Sequence, residues 1–287
     1  MPFYVYAWIG AIFGGFFVIT AKLTSKHVIS NPWLFNFLLS LAVLLFTLPP
    51  AIYYHAVIPN NWTMIIIAAI FLTLTNIFYI FSNKSLDVSV FMPLYNFKSI
   101  FAVLIGIIFF RENIAVNKLF FVGVIFIAGI LTSLDEKFSL KSFFKVTIAV
   151  GLATVFFNIL LNAFTKTAML SNSLWTATLW ITMLNFIFVL PTMPLFKNEI
   201  NKLSFSHIIP VGLMGLFDAI GILASNKAYQ GNLGISSLIM NTPFSMIFAF
   251  LFSIFAPKLL EKHTLKIYAI RFVSTATMIY AAIQLSR

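Results

Sequence analysis

The chain has 287 residues, of which 61% are hydrophobic, 17% aromatic and only 9% charged. A water-soluble domain carries about a quarter charged residues, so the soluble classes are excluded, and the wealth of apolar residues excludes a disordered chain. The absence of cysteine from the sequence excludes a disulfide framework and a thiolate metal site. The net charge of +11 comes from Lys and Arg scattered singly between apolar runs, unlike the clustered basic face of a nucleic-acid binder. An integral membrane protein in a lipid bilayer, with no nucleic-acid partner, is predicted.

Ten apolar segments are long enough to cross a bilayer, because a spanning helix needs about 20 mainly apolar residues. The first segment lacks the basic start and the small-residue cleavage site of a signal peptide, so it is predicted to be a retained helix. Turn-forming clusters at Pro49-Pro50 and Pro59-Asn60-Asn61 divide the second segment from the third. In chain order the predicted spans are 4–22, 33–54, 62–82, 89–110, 117–134, 144–167, 174–196, 207–227, 233–256 and 266–285.

The second half of the sequence repeats short motifs of the first half in the same order. The matches are Lys26 with Lys166, Trp33 with Trp175, Ser82-Asn83-Lys84 with Ser225-Asn226-Lys227, and Glu112 with Glu261. The offset grows from 140 at the first match to 149 at the last, as expected if one copy gained small loop insertions. Because five helices per copy turn the second copy upside down, we predict an all-α integral membrane fold of ten transmembrane helices. Its two inverted five-helix repeats are residues 1–136 and 137–287, an arrangement typical of secondary transporters.

Motifs along the whole chain resemble the drug/metabolite transporter superfamily, in its ten-helix EamA-type branch. Phe109-Phe110-Arg111-Glu112-Asn113, between the predicted fourth and fifth spans, is similar to that family's signature at this position. Phe13-Gly14-Gly15 through Lys22 resembles the family's first helix, and the stretch from Ser225 to Pro243 resembles its hairpin of helices 8 and 9. The resemblance implies a multi-pass transporter whose helices 1, 3, 4, 6, 8 and 9 surround a central cavity.

The orientation of the chain receives two opposing indications. Loops on the side of the N-terminus carry five Lys or Arg residues and the opposite loops carry eleven, which places both termini outside the cytoplasm. The family resemblance implies that both termini are cytoplasmic. We expect a monomer in the plasma or inner membrane, and the orientation of its termini stays open.

Two ionisable side chains fall inside predicted spans, where a charge is costly and marks a functional site by default. Lys98 lies in the fourth span and Asp218 in the middle of the eighth, and the resemblance implies that both point into the cavity from opposite repeats. One hypothesis is that they clamp the two ends of a zwitterionic metabolite. The alternative is a buried ion pair that holds the two halves together and takes no part in transport.

Amide and phenol side chains add polar groups to the same helices. Asn158 and Asn162 are four residues apart and share a helix face, as do Asn76 and Tyr79. These residues, with Tyr95 and Asn241, are predicted either to line a substrate cavity or to hydrogen-bond across packed helices. Pro93 and Pro243 fall inside spans, where each removes a backbone hydrogen bond, and we interpret them as hinges.

The sequence contains none of the motifs that would indicate an enzyme. We find no His-Glu-x-x-His motif, no Ser/His/Asp set and no glycine-rich phosphate loop, so we expect no catalysis, metal or cofactor. We predict a secondary transporter of a small polar or zwitterionic, amino-acid-like metabolite that works by alternating access. The alternatives are an exporter of cationic drugs or metabolites coupled to a proton at Asp218, and a flippase of a lipid-linked substrate.

Overall fold

The structure of the chain is a computed structural model that describes residues 1–85, 98, 101–132, 146–201, 203–242, 244, 247–248 and 265–286. Every regular element in these residues is a helix. Six of their helices are long and apolar enough to cross a membrane, and three shorter apolar helices accompany them. The chain is thus a multi-pass α-helical membrane protein.

The helices of the described residues are labelled in chain order. They are α1 (Phe3–His27), α2 (Pro32–Tyr53), α3 (Trp62–Ser85), α4 (Phe101–Phe110), α5 (Val116–Thr132), α6 (Val146–Ser171), α7 (Leu174–Val189), α8 (Phe205–Gly231), α9 (Leu233–Met240) and α10 (Leu265–Ser286). A 3₁₀ helix at Leu190–Leu195 and a single helical turn at Lys197–Ile200 connect α7 to α8. The predicted spans 89–110 and 233–256 fall partly outside the described residues.

Polar side chains precede several of these helices and accept from backbone N–H groups that have no partner within the helix. Asn31 accepts from the N–H groups of Trp33 and Leu34 before α2. Ser173 accepts from Thr176 before α7, and Asn232 accepts from Ile235 before α9.

Helix α2 does not break at Pro49-Pro50, where the sequence suggested a turn. It continues through both prolines to Tyr53 and ends with His55 in the left-handed conformation, at φ 54°. The N–H of Ala56 then bonds the carbonyl of Ala51, which closes the helix end. Membrane helices tolerate proline because neighbouring groups compensate for the missing backbone bond, so the turn to α3 comes after residue 53.

The helices pack in pairs that cross the boundary between the two halves of the sequence. Helix α1 packs along α8, and α3 packs along α6. Helix α2 contacts both α7 and α8, α3 also contacts α7, and α5 packs against α10. Small residues allow the closest approaches, as at Gly215 of α8, where an added Cβ would overlap Ala42 of α2.

Contacts between helix ends sort the loops into two groups at opposite ends of the bundle. On the side of the N-terminus, Phe3 packs against Gly231, and the Asn172 side chain accepts from the N–H of Asn60 at 3.0 Å. On the other side, Asn31 donates to the Glu199 carboxylate at 2.8 Å. If successive helices cross the bilayer in alternate directions, the helix ends joined by these contacts lie on the same side of the membrane. The contacts therefore agree with alternate crossing.

Candidate functional site

The two predicted intramembrane charges are both within the described residues and both half-buried. Asp218 lies at the centre of the 27-residue helix α8, and Lys98 lies in a helical turn just before α4. Within the described part of the chain, the salt bridge that forms is between Lys166 and Glu112, and Lys98 and Asp218 form none. Each charge is therefore available to a polar group other than the opposite charge.

Aromatic rings surround the segment of α8 that carries Asp218. The ring of its neighbour Phe217 lies 5.3 Å from Phe16 and 6.1 Å from Phe13 of α1, centroid to centroid. Tyr79 of α3, another predicted site residue, lies within electrostatic range of Asp218, and its ring is 6.1 Å from that of Phe17. The structure thus brings Tyr79 and Asp218 into one aromatic environment.

A polar stripe runs along α6, formed by Thr154, Asn158, Asn162 and Lys166 at intervals of four residues. The Asn162 amide is 3.5 Å from the Asn158 oxygen, and Thr154 contacts the Ser82 hydroxyl of α3 at 3.2 Å. This stripe therefore begins at the contact with α3, the helix that carries Asn76 and Tyr79. Asn76 and Asn158 are half-buried, whereas Asn162 is buried.

The remaining predicted site residues are not all described. Asn241 is half-buried at the end of α9, where its N–H bonds the carbonyl of Ser237. Tyr95 and the two predicted hinges, Pro93 and Pro243, lie outside the described residues.

The Glu112 carboxylate forms a polar cluster that the sequence patterns did not predict. It accepts from the Lys166 ammonium and from the N–H groups of Leu233 and Gly234, at 2.6 Å and 3.0 Å for the latter two. The Lys166 ammonium also lies 4.8 Å from the centre of the Phe110 ring, a cation–π geometry. An anion at the first turn of a helix is stabilised by its free N–H groups and by the helix dipole.

Backbone geometry and two glycines make room for this carboxylate. Arg111 adopts φ 51° and turns the chain out of α4, so that the N–H of Glu112 bonds the carbonyl of Gly106 at 3.0 Å. An added Cβ at Gly106 would overlap the carboxylate, and one at Gly234 would lie 3.2 Å from the Val103 Cα. Glycine at these two positions lets α4 and α9 approach closely enough to enclose Glu112.

A second group of buried polar residues, also absent from the sequence predictions, connects α7 to its neighbours. The Asn185 side chain donates to Ser40 of α2 at 3.1 Å and accepts from Thr73 of α3 at 3.0 Å. Thr178 of α7 accepts from the Asn226 amide of α8 at 2.9 Å. Each of these bonds joins two different helices, as expected of residues that hold helices together in a bilayer.

The described residues contain no group of three or more His, Cys, Asp or Glu side chains placed to hold a metal ion.

Comparisons with known proteins agree with this architecture. The model of the EamA-like transporter family matches residues 1–134. The chain is similar to a solved crystal structure with a TM-score of 0.75 and a sequence identity of 10%. The match covers 99% of this chain and 99% of the other chain. At that identity the likeness extends to the fold alone. No curated protein matches the chain. The match to the family model confirms the family resemblance seen in the sequence over residues 1–134, which are similar to the EamA-like transporters of the drug/metabolite transporter superfamily.

Proposed function

We propose that this chain is a secondary transporter that moves a small polar or zwitterionic, amino-acid-like metabolite across the plasma or inner membrane. It works by alternating access between two inverted five-helix repeats, residues 1–136 and 137–287. Lys98 and Asp218 bind opposite ends of the substrate, while Asn76, Tyr79, Tyr95, Asn158, Asn162 and Asn241 line its path and Pro93 and Pro243 act as hinges.

The pattern of helix packing supports the repeat. If helices 1 to 5 correspond to helices 6 to 10, exchanging the two halves turns the α1–α8 pair into the α6–α3 pair. In each of these two pairs the helices pack along each other. The exchange leaves the α2–α7 and α5–α10 pairs unchanged, and the helices of these pairs are also in contact. The α2–α8 contact likewise has its counterpart in α7–α3. Such reciprocity is what a duplicated and inverted unit requires.

The observation that carries the proposed substrate class is the presence of two opposite charges in apolar helices that do not pair with each other. Lys98 and Asp218 come from different predicted repeats, and within the described residues they form no salt bridge. An intramembrane charge persists where it meets a partner, a cavity or a substrate. A zwitterion supplies a carboxylate to Lys98 and an ammonium to Asp218, so it satisfies both groups at once.

Uptake into proteoliposomes tests this assignment. The zwitterionic substrate is first identified by screening amino acids with and without a pH gradient. We then expect Lys98→Ala and Asp218→Asn each to lower its uptake. A charge-assisted hydrogen bond is worth about 1.5–3 kcal/mol, which corresponds to a decrease of about tenfold or more.

Two variants at one end of the bundle make the same chemical changes away from the proposed site. Lys197→Ala and Glu199→Gln lie in the connection between α7 and α8 and are expected to keep wild-type uptake. Wild-type uptake by both Lys98→Ala and Asp218→Asn would overturn the clamp.

The aromatic environment of Asp218 favours one alternative, an exporter of cationic drugs or metabolites that exchanges the cation for a proton. The rings of Phe13, Phe16 and Phe217 lie near the carboxylate's segment of α8, and aromatic faces attract cations. The two functions differ at Lys98, because a cationic substrate is repelled by the ammonium. Lys98→Ala should then increase cation transport, whereas it should lower transport of a zwitterion.

A further inference from the structure

The Glu112 carboxylate joins segments from different halves of the chain. Glu112 follows α4 in the first half, whereas both of its partner segments, Lys166 of α6 and the first turn of α9, belong to the second half. The side chains of Glu112 and Lys166 are 6% and 9% exposed. A displacement of one half against the other would therefore break all these bonds together, and would leave two charges without partners in an apolar seam.

The cluster lies at one end of the proposed substrate path. Lys166 follows Asn162 by one turn on the polar stripe of α6, toward the side of the N-terminus. On that same side α1 packs closely on α8 and α9, since an added Cβ at Gly10 would lie 3.1 Å from both Ser225 Oγ and Met240 Sδ. The seam between the two halves is closed at this end.

We propose that Glu112, Lys166 and the first turn of α9 form a latch that holds this seam closed on the side of the N-terminus. The latch opens whenever the transporter opens to that side. The inference rests on the proposed function, since a latch requires two states. It adds a gating role for Glu112 and Lys166, which are not among the residues assigned to the substrate.

The tight packing around Glu112 favours two states of its carboxylate, one with all of its hydrogen bonds formed and one with all of them broken. Gly106 and Gly234 leave space for the carboxylate and for little else, so a small separation of α4 and α9 would remove its N–H partners. Interfaces of this kind have discrete arrangements and do not deform continuously.

Water access to a single cysteine tests the latch without any knowledge of the substrate. The native sequence contains no cysteine, so Ser225→Cys reports on the closed seam without background. In nanodiscs we expect a hydrophilic thiol reagent to label this reporter slowly in the otherwise wild-type protein. Glu112→Gln and Lys166→Met should each accelerate labelling by about tenfold or more, the ratio implied by loss of one charge-assisted hydrogen bond.

Matched variants separate the latch from general destabilisation. Glu199→Gln makes the same change in a carboxylate bonded to Asn31 at the opposite end of the bundle, and should leave labelling unchanged. Gly106→Ala keeps every charge but displaces the Glu112 carboxylate, so it should accelerate labelling. Gly123→Ala adds the same methyl group where no atom beyond the neighbouring residues and backbone of its own helix lies within 4 Å, and should have no effect.

The outcomes distinguish the latch from the transport proposal. Labelling at the wild-type rate in folded Glu112→Gln and Lys166→Met protein, judged by gel filtration and circular dichroism, would overturn the latch. If the charge variants fail to fold, an unchanged rate in Gly106→Ala would overturn it. Faster labelling in protein that transports none of the screened metabolites would keep the latch and reject the proposed substrate class.

Discussion

Amide side chains inside this bundle differ in the groups that they bond, and this difference separates structural residues from candidate substrate ligands. Asn185 bonds two other helices, through Ser40 and Thr73. Among the described residues, Asn158 bonds Asn162 of its own helix at the long distance of 3.5 Å. A polar group that leaves its capacity unused inside a bilayer is the better candidate for a substrate ligand.

Replacing each amide by leucine should therefore have opposite effects on stability and transport. Asn185→Leu removes two interhelical bonds, and since such bonds average about 0.6 kcal/mol in membrane proteins, we expect the free energy of unfolding in detergent to fall by roughly 1–2 kcal/mol. Asn158→Leu should leave that free energy nearly unchanged and lower substrate uptake. The same loss of stability in both variants would assign Asn158 to helix packing.

Single residues inside apolar runs could be found from the sequence, but their partners could not. Lys98 and Asp218 are conspicuous because charge is rare in these segments. Glu112 was visible as part of a family signature, yet its partners Lys166 and Leu233 are 54 and 121 residues away. Nothing local to Glu112 specifies them, because the three segments meet only through the packing of α4, α6 and α9.

At the scale of elements, the turn after α4 sets the direction of Glu112. Arg111 occupies the left-handed region at φ 51°, which costs about 1–2 kcal/mol for a residue with a side chain. The same conformation ends α2 at His55, with φ 54°. The two turns share the same backbone conformation, but only the turn at Arg111 directs a carboxylate toward another helix. Comparing them therefore separates the effect of the conformation from the effect of the carboxylate.

Substitutions in these turns should separate backbone strain from latch geometry. Arg111→Gly should match or exceed wild-type thermal stability, because glycine adopts positive φ without a steric penalty. Arg111→Val and His55→Val should each lower the free energy of unfolding by about 1 kcal/mol, since a β-branched residue fits this region poorly. Of the two valine variants, Arg111→Val alone should accelerate labelling at Ser225→Cys, and equal acceleration in both would show that the reporter follows stability.

The positions of the six long helices in the described residues were largely predictable from apolar run length, and the errors occur at helix ends. The first span was predicted to end at Lys22, whereas α1 continues to His27, because Lys22 and Lys26 near a helix end can extend their ammonium groups to the interface without breaking the helix. The prolines of α2 likewise suggested a turn that the helix does not make. Composition indicates which segments enter the bilayer, while the last turns depend on capping and on neighbouring helices.

At the scale of the whole molecule, alternate crossing of the bilayer predicts which loops share a side. Asn60 and Asn172 bond each other between different pairs of helices, and the Lys118 ammonium bonds the carbonyl of Leu285 near the C-terminus. Alternate crossing places the α2–α3, α4–α5 and α6–α7 loops on one side with both ends of the chain, and these contacts agree with that grouping. The α1–α2 and α7–α8 connections, joined by Asn31 and Glu199, form the other group.

Single cysteines in intact cells test this arrangement and decide the orientation. We expect Asn60→Cys and Ser286→Cys to react alike with a membrane-impermeant maleimide, and Asn198→Cys to show the opposite accessibility. Labelling after detergent treatment provides the control, since all three sites should then react. Equal accessibility of Asn60→Cys and Asn198→Cys in intact cells would contradict the alternate crossing on which the ten predicted helices and the inverted repeats depend.

The position of the latch at one end of the bundle makes the two membrane faces unequal for a ligand. A molecule waiting on the latched face meets binding-competent protein for only a fraction of the time, and its half-saturating concentration increases in inverse proportion to that fraction. If closure is favoured by about tenfold, the two faces should differ by about tenfold in apparent affinity. The unloaded protein would then bind its substrate mainly from the unlatched face. The two faces would differ kinetically even if the two halves are the repeats that we propose.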